Sequence, residues 1–414
     1  MAISPWSIHF SRLAVEGNLV VLIFGLGIFF TLLYLKKRIS SYLILGFLFL
    51  GIATHTYYTE RATSFFYIFG FLFLFKEYLF KDRKPLIYSI FVFLLFLIPH
   101  VYIANTGALT KRLMQVSYLS NSSFANLNYI QKSIFIMNNF LDHYFQYFSP
   151  KNLFFNPGNN LGRVSPNLSV FLPLYFLFLL LGIRGLSSNI GKPLFKVLIF
   201  LSFITPIPAG LTGDAFYPLR VLSFLWVLTN MVSYGFYLFF SKIKSNLLRF
   251  FFVFGLLIYS LFFIYTSRFV FYRQLMVGGG GSFPYLKLVA ELDKYKDKKV
   301  VIDSNDRSWG VGIVFAYLKR ADPKEIQIQL QKQMDGPYYS SSVNPYNIFT
   351  ISNIIIKPIN WSEACDKNLL IVGDKYSVSE EQVSTHNLSL VFIVNDVRDK
   401  PYLFAYRPNS FCNH

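Results

Sequence analysis

The chain has 414 residues, of which 54% are hydrophobic and only 14% are charged. Soluble globular proteins carry about 25% charged residues, so this composition excludes an ordinary soluble protein and indicates one embedded in a lipid bilayer. The net charge of +18 is unevenly placed, since residues 1–270 carry +16 and residues 271–414 carry +2. Because the excess lies between apolar segments, we attribute it to loops at a membrane surface and expect no nucleic-acid partner.

Eight apolar segments in the first 270 residues approach the length of about 20 residues that a helix needs to cross a bilayer. We therefore predict an α-helical polytopic membrane protein with about eight transmembrane helices. The predicted spans are Leu19–Leu35, Tyr42–Tyr57, Thr63–Phe75, Leu86–Ile103, Val170–Ile183, Leu194–Leu211, Val221–Phe240 and Phe250–Tyr265.

Basic residues alternate from loop to loop between these predicted spans. Four alternate loops hold 13 Lys and Arg residues, whereas the short loops around Glu60 and Asp214 hold one Arg each. Basic loops stay on the cytoplasmic side of a membrane. We therefore predict that Met1, the loop 104–169 and the whole tail are extracytoplasmic. The basic residues of the four loops are Lys36, Lys37, Arg38, Lys76, Lys81, Arg83, Lys84, Arg184, Lys192, Lys196, Lys242, Lys244 and Arg249.

The loop 104–169 is too long to be a passive connection between two spans. Between Phe135 and Phe148 its aromatic and aliphatic residues recur at near-helical spacing. This pattern leaves two interpretations open. The segment is either an amphipathic helix at the membrane surface or a helix packed against neighbouring spans.

The composition changes after residue 270, and we predict a Gly-rich linker at 271–282 followed by an α/β domain at 283–414. The two cysteines, Cys365 and Cys412, both lie in this domain, where one disulfide and two separate thiols are equally compatible with the sequence. Ser379 and Gln382 have the spacing of a capping box. The predicted helices are Tyr285–Tyr295 and Val311–Leu318, and the predicted strands are Lys299–Asp303, Ile348–Ile356, Leu369–Val372, Leu390–Val394 and Tyr402–Tyr406, the last two paired as a hairpin.

Acidic residues are scarce in the membrane half, and those predicted to be extracytoplasmic are candidates for catalysis. Arginine suits bidentate phosphate binding, and a carboxylate can act as a general base on a hydroxyl. Each such residue has the simpler interpretation of a charge that anchors a helix at the interface. The histidines show no paired metal-ligand spacing, so no metal site is predicted. The carboxylate candidates are Glu16, Glu60, Asp142 and Asp214, and the arginine candidates are Arg12, Arg61, Arg163 and Arg220. The aromatic residues next to these charges form either an interfacial aromatic belt or a wall on which a sugar stacks. They are Tyr57, Tyr58, Phe216 and Tyr217.

Five segments, in order, resemble bacterial GT-C membrane glycosyltransferases, the relatives of protein O-mannosyltransferases and lipid A aminoarabinose transferase (glycosyltransferase family 39-like). The first is Ser4-Pro5-Trp6-Ser7-Ile8-His9-Phe10-Ser11-Arg12. The others are the segments 51–61, 147–160, 206–212 and 217–220, which contain Tyr57-Tyr58-Thr59-Glu60-Arg61, Tyr147-Phe148-Ser149-Pro150, Pro206-Ile207-Pro208-Ala209 and Tyr217-Pro218-Leu219-Arg220.

The resemblance implies a GT-C-like enzyme in the cytoplasmic membrane that takes a sugar from a polyprenyl-phosphate donor. It implies that Arg61 and Arg220 hold the lipid phosphate, and that Arg163 and Asn160, with Tyr57, position donor or acceptor. The acceptor is an envelope protein, lipid or glycan. No cofactor is expected, although a divalent cation is compatible with such a site.

In two respects the sequence departs from the family. The family's catalytic acidic residue lies in an external loop that precedes the Ser-Pro-Trp segment, so we expect either an N-terminally truncated and inactive chain or a substitute among Glu16, Glu60 and Asp214. Gly158-Asn159 also stands where relatives often have Gly-Asp.

An alternative reading is a non-catalytic envelope protein, such as a transporter or a polysaccharide-assembly factor with an external binding domain. A transporter is expected to carry charges in mid-span or broken helices in repeated halves. Neither feature is visible in the sequence.

Overall fold

In the computed structural model, the residues described are 4–12, 17–81, 83–104, 117–118, 127–155, 169–188, 192–277, 283–304, 311–332, 348–363, 366, 368–396 and 399–409. The chain divides into two compact units, Met1–Phe271 and Tyr272–His414. The first unit is helical, and the second contains a β-sheet. Each unit is built around its own apolar core.

The described part of the first unit consists mainly of α-helices. Their bounds are α1 Pro5–Arg12, α2 Gly17–Lys37, α3 Ser40–Ala53, α4 Tyr58–Leu74, α5 Lys76–Leu79, α6 Arg83–Leu95, α7 Ile98–Ala104, α8 Tyr129–Gln146, α9 Tyr175–Ser187, α10 Pro193–Ile204, α11 Ile207–Gly210, α12 Leu222–Lys242 and α13 Asn246–Val277. Helix α13 continues six residues beyond the unit boundary and overlaps the predicted linker 271–282 as far as Val277.

Four helical segments among the described residues are long and apolar enough to cross a membrane: Gly17–Lys37, Arg83–Ala104, Pro193–Gly210 and Pro218–Lys242. They coincide with four of the eight predicted spans. The predicted spans in α3, α9 and α13 correspond to the shorter apolar helices Ser40–Ala53, Tyr175–Ser187 and Asn246–Phe262. The predicted span Thr63–Phe75 lies in α4, which has 17 residues. The structure thus supports membrane association and four spans, whereas the count of eight stays a prediction.

Two of the four spans are broken by proline. Pro99 has no N–H to donate to the carbonyl of residue 95, and α6 accordingly ends at Leu95 before α7 begins at Ile98. Pro206 and Pro208 separate α10 from α11 in the same way. These breaks leave backbone carbonyls without their usual helical partners, and the carbonyl of Phe96 lies at the first of them.

The helices that contact α12 show which ends of the bundle coincide. Glycines of α9 pack closely against α12, since Gly182 lies against Met231 and Gly185 against Leu238. Helix α2 runs parallel to α12, since Gly17 lies against Leu222 and Gly25 against Trp226. Lys37 and Lys242 therefore lie at one end of the bundle, which we call the basic end. The end at which α2, α4 and α12 begin is called the site end.

Helix α8 accounts for the amphipathic pattern predicted in the loop 104–169. It opens with a complete capping box formed by Asn128 and Gln131. One face packs on the bundle, where Phe140 lies against Gly210 and Tyr144 donates to the carbonyl of Phe203 at 2.8 Å. A second face carries an exposed apolar stripe that runs along the helix. The structure thus confirms a helix packed against its neighbours, whereas its position at the membrane surface stays a prediction. The stripe consists of Ile130, Ile134, Met137, Leu141 and Phe145.

The second unit begins with α14 Phe283–Leu292, which a 3-10 turn extends to Tyr295. Lys319 donates to the Asp293 carboxylate at 2.8 Å and holds the pKa of that group below its usual value. The remaining helices are α15 Val311–Leu318, α16 Pro323–Lys332 and α17 Glu380–Thr385, and the strands are β1 Lys299–Ile302, β2 Phe349–Ile351, β3 Ile354–Ile356, β4 Leu369–Gly373, β5 Leu388–Asn395 and β6 Pro401–Pro408.

The six strands form one mixed sheet in the order β2-β3-β1-β4-β6-β5. Strand β1 lies parallel to both β3 and β4, and the predicted β5–β6 hairpin is confirmed as an antiparallel edge. The predicted single strand Ile348–Ile356 is wrong, because Ser352, with φ of 56°, turns the chain into a hairpin between β2 and β3. Helix α16 was not predicted. At Ser379 only half of the predicted capping box forms, since Gln382 donates its backbone N–H but its side-chain oxygen has no partner in the described structure.

Candidate functional site at the site end

Glu60 is a fully buried carboxyl at the first turn of α4. Only 3% of the residue is exposed, although a Glu side chain is rarely buried unless a partner compensates its charge. Ser223, on the first turn of α12, donates its hydroxyl to Glu60 Oε1 at 2.7 Å. The other oxygen, Oε2, has no hydrogen-bond partner among the described residues. The pair joins the starts of two helices and leaves one buried carboxyl oxygen uncompensated.

Arg61, the next residue of α4, has buried donors that meet no acceptor. Its guanidinium lies over the Tyr58 ring at 4.6 Å, which fixes the plane of the fork. Its Nε and Nη1 atoms are buried and donate to nothing in the described part of the chain. These two N–H groups lie on different edges of the guanidinium, and each edge can donate to oxygens of a phosphate or carboxylate.

Two stacked histidines accompany Arg61. The rings of His55 and His100 lie 4.3 Å apart and 12° from parallel, and the Arg61 charge acts on His100. Each ring is fixed through its Nε2 atom, to the carbonyl of Phe96 at 2.7 Å for His55 and to the Thr54 hydroxyl at 3.0 Å for His100. His100 Nδ1 is buried and unpartnered within the described structure. The pair therefore adds another hydrogen-bonding group near Arg61.

Arg220, in contrast, is engaged by the protein. Its Nη2 atom lies 2.9 Å from Asp214 Oδ2, its Nη1 atom donates to Thr212 Oγ1 at 2.6 Å, and its guanidinium covers the Tyr217 ring at 4.6 Å. The side chain is 12% exposed, and that of Asp214 is 30% exposed. Asp214 is thus the counter-ion of Arg220.

The Arg220 cluster is anchored to α8 and to the chain after it. His143, the buried residue of α8, contacts the carbonyl of Thr212 through Nδ1 at 2.7 Å. The hydroxyl of Tyr147, just beyond α8, accepts from the backbone N–H of Tyr217 at 3.2 Å. The segment 212–220 is therefore held from two sides, and the orientation of Arg220 depends on α8.

The structure brings together some of the residues proposed from the sequence. Glu60 and Arg61 lie in one turn of α4, and Glu60 reaches α12 three residues after Arg220. Tyr57 is the N-cap residue of α4. Glu16, Asn160 and Arg163 lie outside the described residues. No group of three metal-ligating side chains occurs within the part of the chain that is described.

Sequence reasoning missed Ser223, Thr212, His143 and the two stacked histidines. Ser and Thr are too frequent for one of them to stand out, and Ser223 is 163 positions from its partner. His55 and His100 lie 45 residues apart, one in the turn after α3 and the other in α7, and the sequence does not reveal that these elements meet. Their one signal was position, since both lie near the predicted extracytoplasmic ends of spans.

No protein-family model, curated protein or solved structure matches the chain. The resemblance to GT-C glycosyltransferases therefore rests on the five sequence segments alone.

Proposed function

We propose that this protein is an integral-membrane glycosyltransferase that moves a sugar from a polyprenyl-phosphate-linked donor to an envelope acceptor. The site end then faces the outer side of the cytoplasmic membrane, as does the second unit. The basic end faces the cytoplasm, in keeping with the charge of its loops.

The observation that carries this proposal is the pair of buried N–H groups on Arg61. A buried donor without an acceptor costs free energy, and a buried cation costs more. A phosphate bound at an edge of the guanidinium gives a buried donor an acceptor, lowers the cost of the buried charge and adds charge-assisted hydrogen bonds. Tyr58 and His100 supply further polar groups beside it. The lipid phosphate fits this description because its isoprenoid chain can lie among the apolar helices.

The chemistry then needs a base for the acceptor hydroxyl. As the acceptor oxygen attacks the anomeric carbon, the bond from that carbon to the phosphate oxygen breaks and the polyprenyl phosphate leaves with the electron pair. The hydroxyl proton passes to a carboxylate. Of the three carboxylate candidates in the described residues, Asp214 is paired with Arg220 and Asp142 accepts from Gln146, whereas Glu60 lies next to Arg61 and has an oxygen without a partner among the described residues. We assign the base role in this chain to Glu60.

The phosphate role is tested with Arg61→Lys, which keeps the charge but loses the bidentate fork. Removing one charged hydrogen bond in a dry site costs about 2–4 kcal/mol, so transfer from a polyprenyl-phosphate sugar falls about 30- to 1000-fold. Arg220→Lys also lowers transfer, because an ammonium lacks the two separate nitrogen atoms with which Arg220 holds Asp214 and Thr212. The matched control is Arg184→Lys, which changes an exposed arginine in a loop predicted to be cytoplasmic and leaves the rate within a few-fold.

Binding is measured beside transfer, in nanodiscs, with polyprenyl phosphate and with the uncharged polyprenol. The wild-type protein is expected to prefer the phosphate, and Arg61→Lys is expected to lose most of that preference. Equal affinity for the two lipids, or an Arg61→Lys variant that keeps parental binding and transfer, removes the phosphate role. Arg61 is then an interfacial anchor.

A further inference from the structure

A cavity of about 430 Å³ lies between α1, α2 and α12, on a part of the first unit that the proposed reaction does not use. Its volume is in the range of small-molecule sites. One wall is α1, a short helix whose start is fixed by a 3.2 Å hydrogen bond from the Trp6 backbone to the carbonyl of Val170. The cavity is thus formed by elements that are held in place by their own contacts.

Polar groups collect at the α1 side of the cavity. Ser7 and Ser11 are four residues apart and share one face of α1. Asn18, at the start of α2, donates its side-chain amide to the carbonyl of Phe10 and closes the corner between the two helices. No charged side chain is among the described residues that line the cavity. Such a set suits a ligand with neutral oxygen atoms.

Trp6 supplies the decisive group. The residue is 3% exposed and lines the cavity, and its indole Nε1 has no hydrogen-bond partner among the described residues. An indole N–H can only donate, so it needs an acceptor that the described residues do not provide. A ligand oxygen that reaches this nitrogen through a small rotation of the ring satisfies a donor that is otherwise buried at a cost in free energy.

The rest of the cavity is apolar and is lined by one of the candidate spans. Val21, Leu22 and Leu26 line it from α2. Trp226 of α12 lies against Gly25, where an added Cβ would sit 3.4 Å from the ring. Leu22 is 63% exposed, so the apolar lining continues onto the outer surface of a helix that is apolar enough to cross a membrane.

We propose that this cavity binds a neutral lipid whose headgroup carries hydroxyl and ester oxygens. The headgroup lies at Ser7 and Ser11 and accepts from the indole of Trp6, while one acyl chain follows α2 past Leu22 to Trp226. The chemistry is that of a diacylglycerol or a glycosyl diacylglycerol. A phosphate finds no cation among the described lining residues and is therefore disfavoured.

The test is native mass spectrometry of the purified protein with equimolar dioleoylglycerol, glucosyl-dioleoylglycerol and dioleoylphosphatidylglycerol. The two neutral lipids separate a plain hydroxyl headgroup from a sugar headgroup, and the third shares their chains but adds a phosphate. Preferential retention of a neutral lipid is expected. Trp6→Phe keeps a ring and removes the donor, and weakens that binding about three- to tenfold.

A second pair of variants guards against a folding defect in Trp6→Phe. Leu22→Trp fills the cavity mouth, whereas Leu19→Trp adds the same bulk one turn away at a position that is 57% exposed and does not line the cavity. Only Leu22→Trp is expected to lose the lipid, with both variants melting at the parental temperature. Equal retention of the neutral and anionic lipids, or equal effects of the two tryptophans, overturns the proposal.

Discussion

At the scale of the residue, the surroundings of the Glu60 carboxyl indicate a functional group. Its neighbour Arg61 does not neutralise it through any hydrogen bond in the described structure, and its one partner is the Ser223 hydroxyl. A hydroxyl stabilises a buried carboxyl less than a cation does. The protein therefore keeps this group in its core at a net cost, which is expected of functional groups more than of structural ones.

Replacing Glu60 by Gln tests the base role. Gln has the same shape and can still accept from Ser223, but it cannot take a proton. If Glu60 is the base, sugar transfer falls about 10²- to 10⁴-fold while the affinity for polyprenyl phosphate stays within a few-fold.

Glu77→Gln is the matched control, since Glu77 is an exposed carboxyl of α5. The melting temperatures of both variants are compared with the parent to exclude a folding defect. Transfer by Glu60→Gln at the parental rate would assign the proton to another group.

The sequence identified the charged members of the site but not their partners. Charges are rare in an apolar chain, so Glu60, Arg61, Asp214 and Arg220 could be found by their scarcity. Their pairing could not be found in this way. The ion pair between Asp214 and Arg220 and the hydrogen bond between Glu60 and Ser223 depend on how the chain turns and on which helices meet, and hydropathy carries no information on either.

At the scale of the element, hydropathy alone placed the helices well and their ends less well. Predicted and observed helices overlap because a segment of about 20 apolar residues can form few structures other than a buried or membrane-spanning helix. The break between α10 and α11 follows from Pro206 and Pro208. The β2–β3 hairpin was missed because its turn is Ser352-Asn353, which lacks the usual glycine. Asn353 is instead held by its side chain, which donates to the carbonyls of Tyr295 and Lys298.

Helices α9 and α12 approach each other at glycines, as small residues allow in membrane proteins. A Cβ at Gly182 would collide with the carbonyl oxygen of Met231, and one at Gly235 with that of Phe178. The obstacle in both cases is backbone, which cannot move aside as a flexible side chain can.

Gly235→Ala should therefore destabilise the first unit by about 1–3 kcal/mol, because the two helices must separate to admit the methyl group. The control is Gly255→Ala in α13, where nothing lies within 4 Å of the added atom. That change should be neutral or slightly stabilising, since Ala favours the helix by about 0.5–1 kcal/mol. Thermal unfolding in detergent measures both, and equal melting temperatures would contradict the close approach of α9 and α12.

At the scale of the whole molecule, charge and helix direction agree. Two helices that run parallel, α2 and α12, end in Lys37 and Lys242, while Glu60, Arg61, Asp214 and Arg220 collect at the site end. The alternation of basic and non-basic loops along the sequence reflects the same unequal distribution of charge between the two ends of the bundle. This agreement supports a single orientation in the membrane, with the basic end in the cytoplasm and the site end outside.

Cysteine labelling tests that orientation. In a background with Cys365→Ser and Cys412→Ser, single cysteines replace three exposed lysines, Lys37 and Lys192 at loops of the first unit and Lys375 in the second. A membrane-impermeant maleimide added to spheroplasts should modify the cysteine at position 375 at once. It should reach positions 37 and 192 only after permeabilisation, because both belong to loops predicted to be cytoplasmic.

Since all three side chains are exposed, differences in labelling report the side of the membrane and not burial. Labelling of position 37 without labelling of 192 would break the alternation, and labelling of both before 375 would reverse the orientation and place the Arg61 site on the cytoplasmic face.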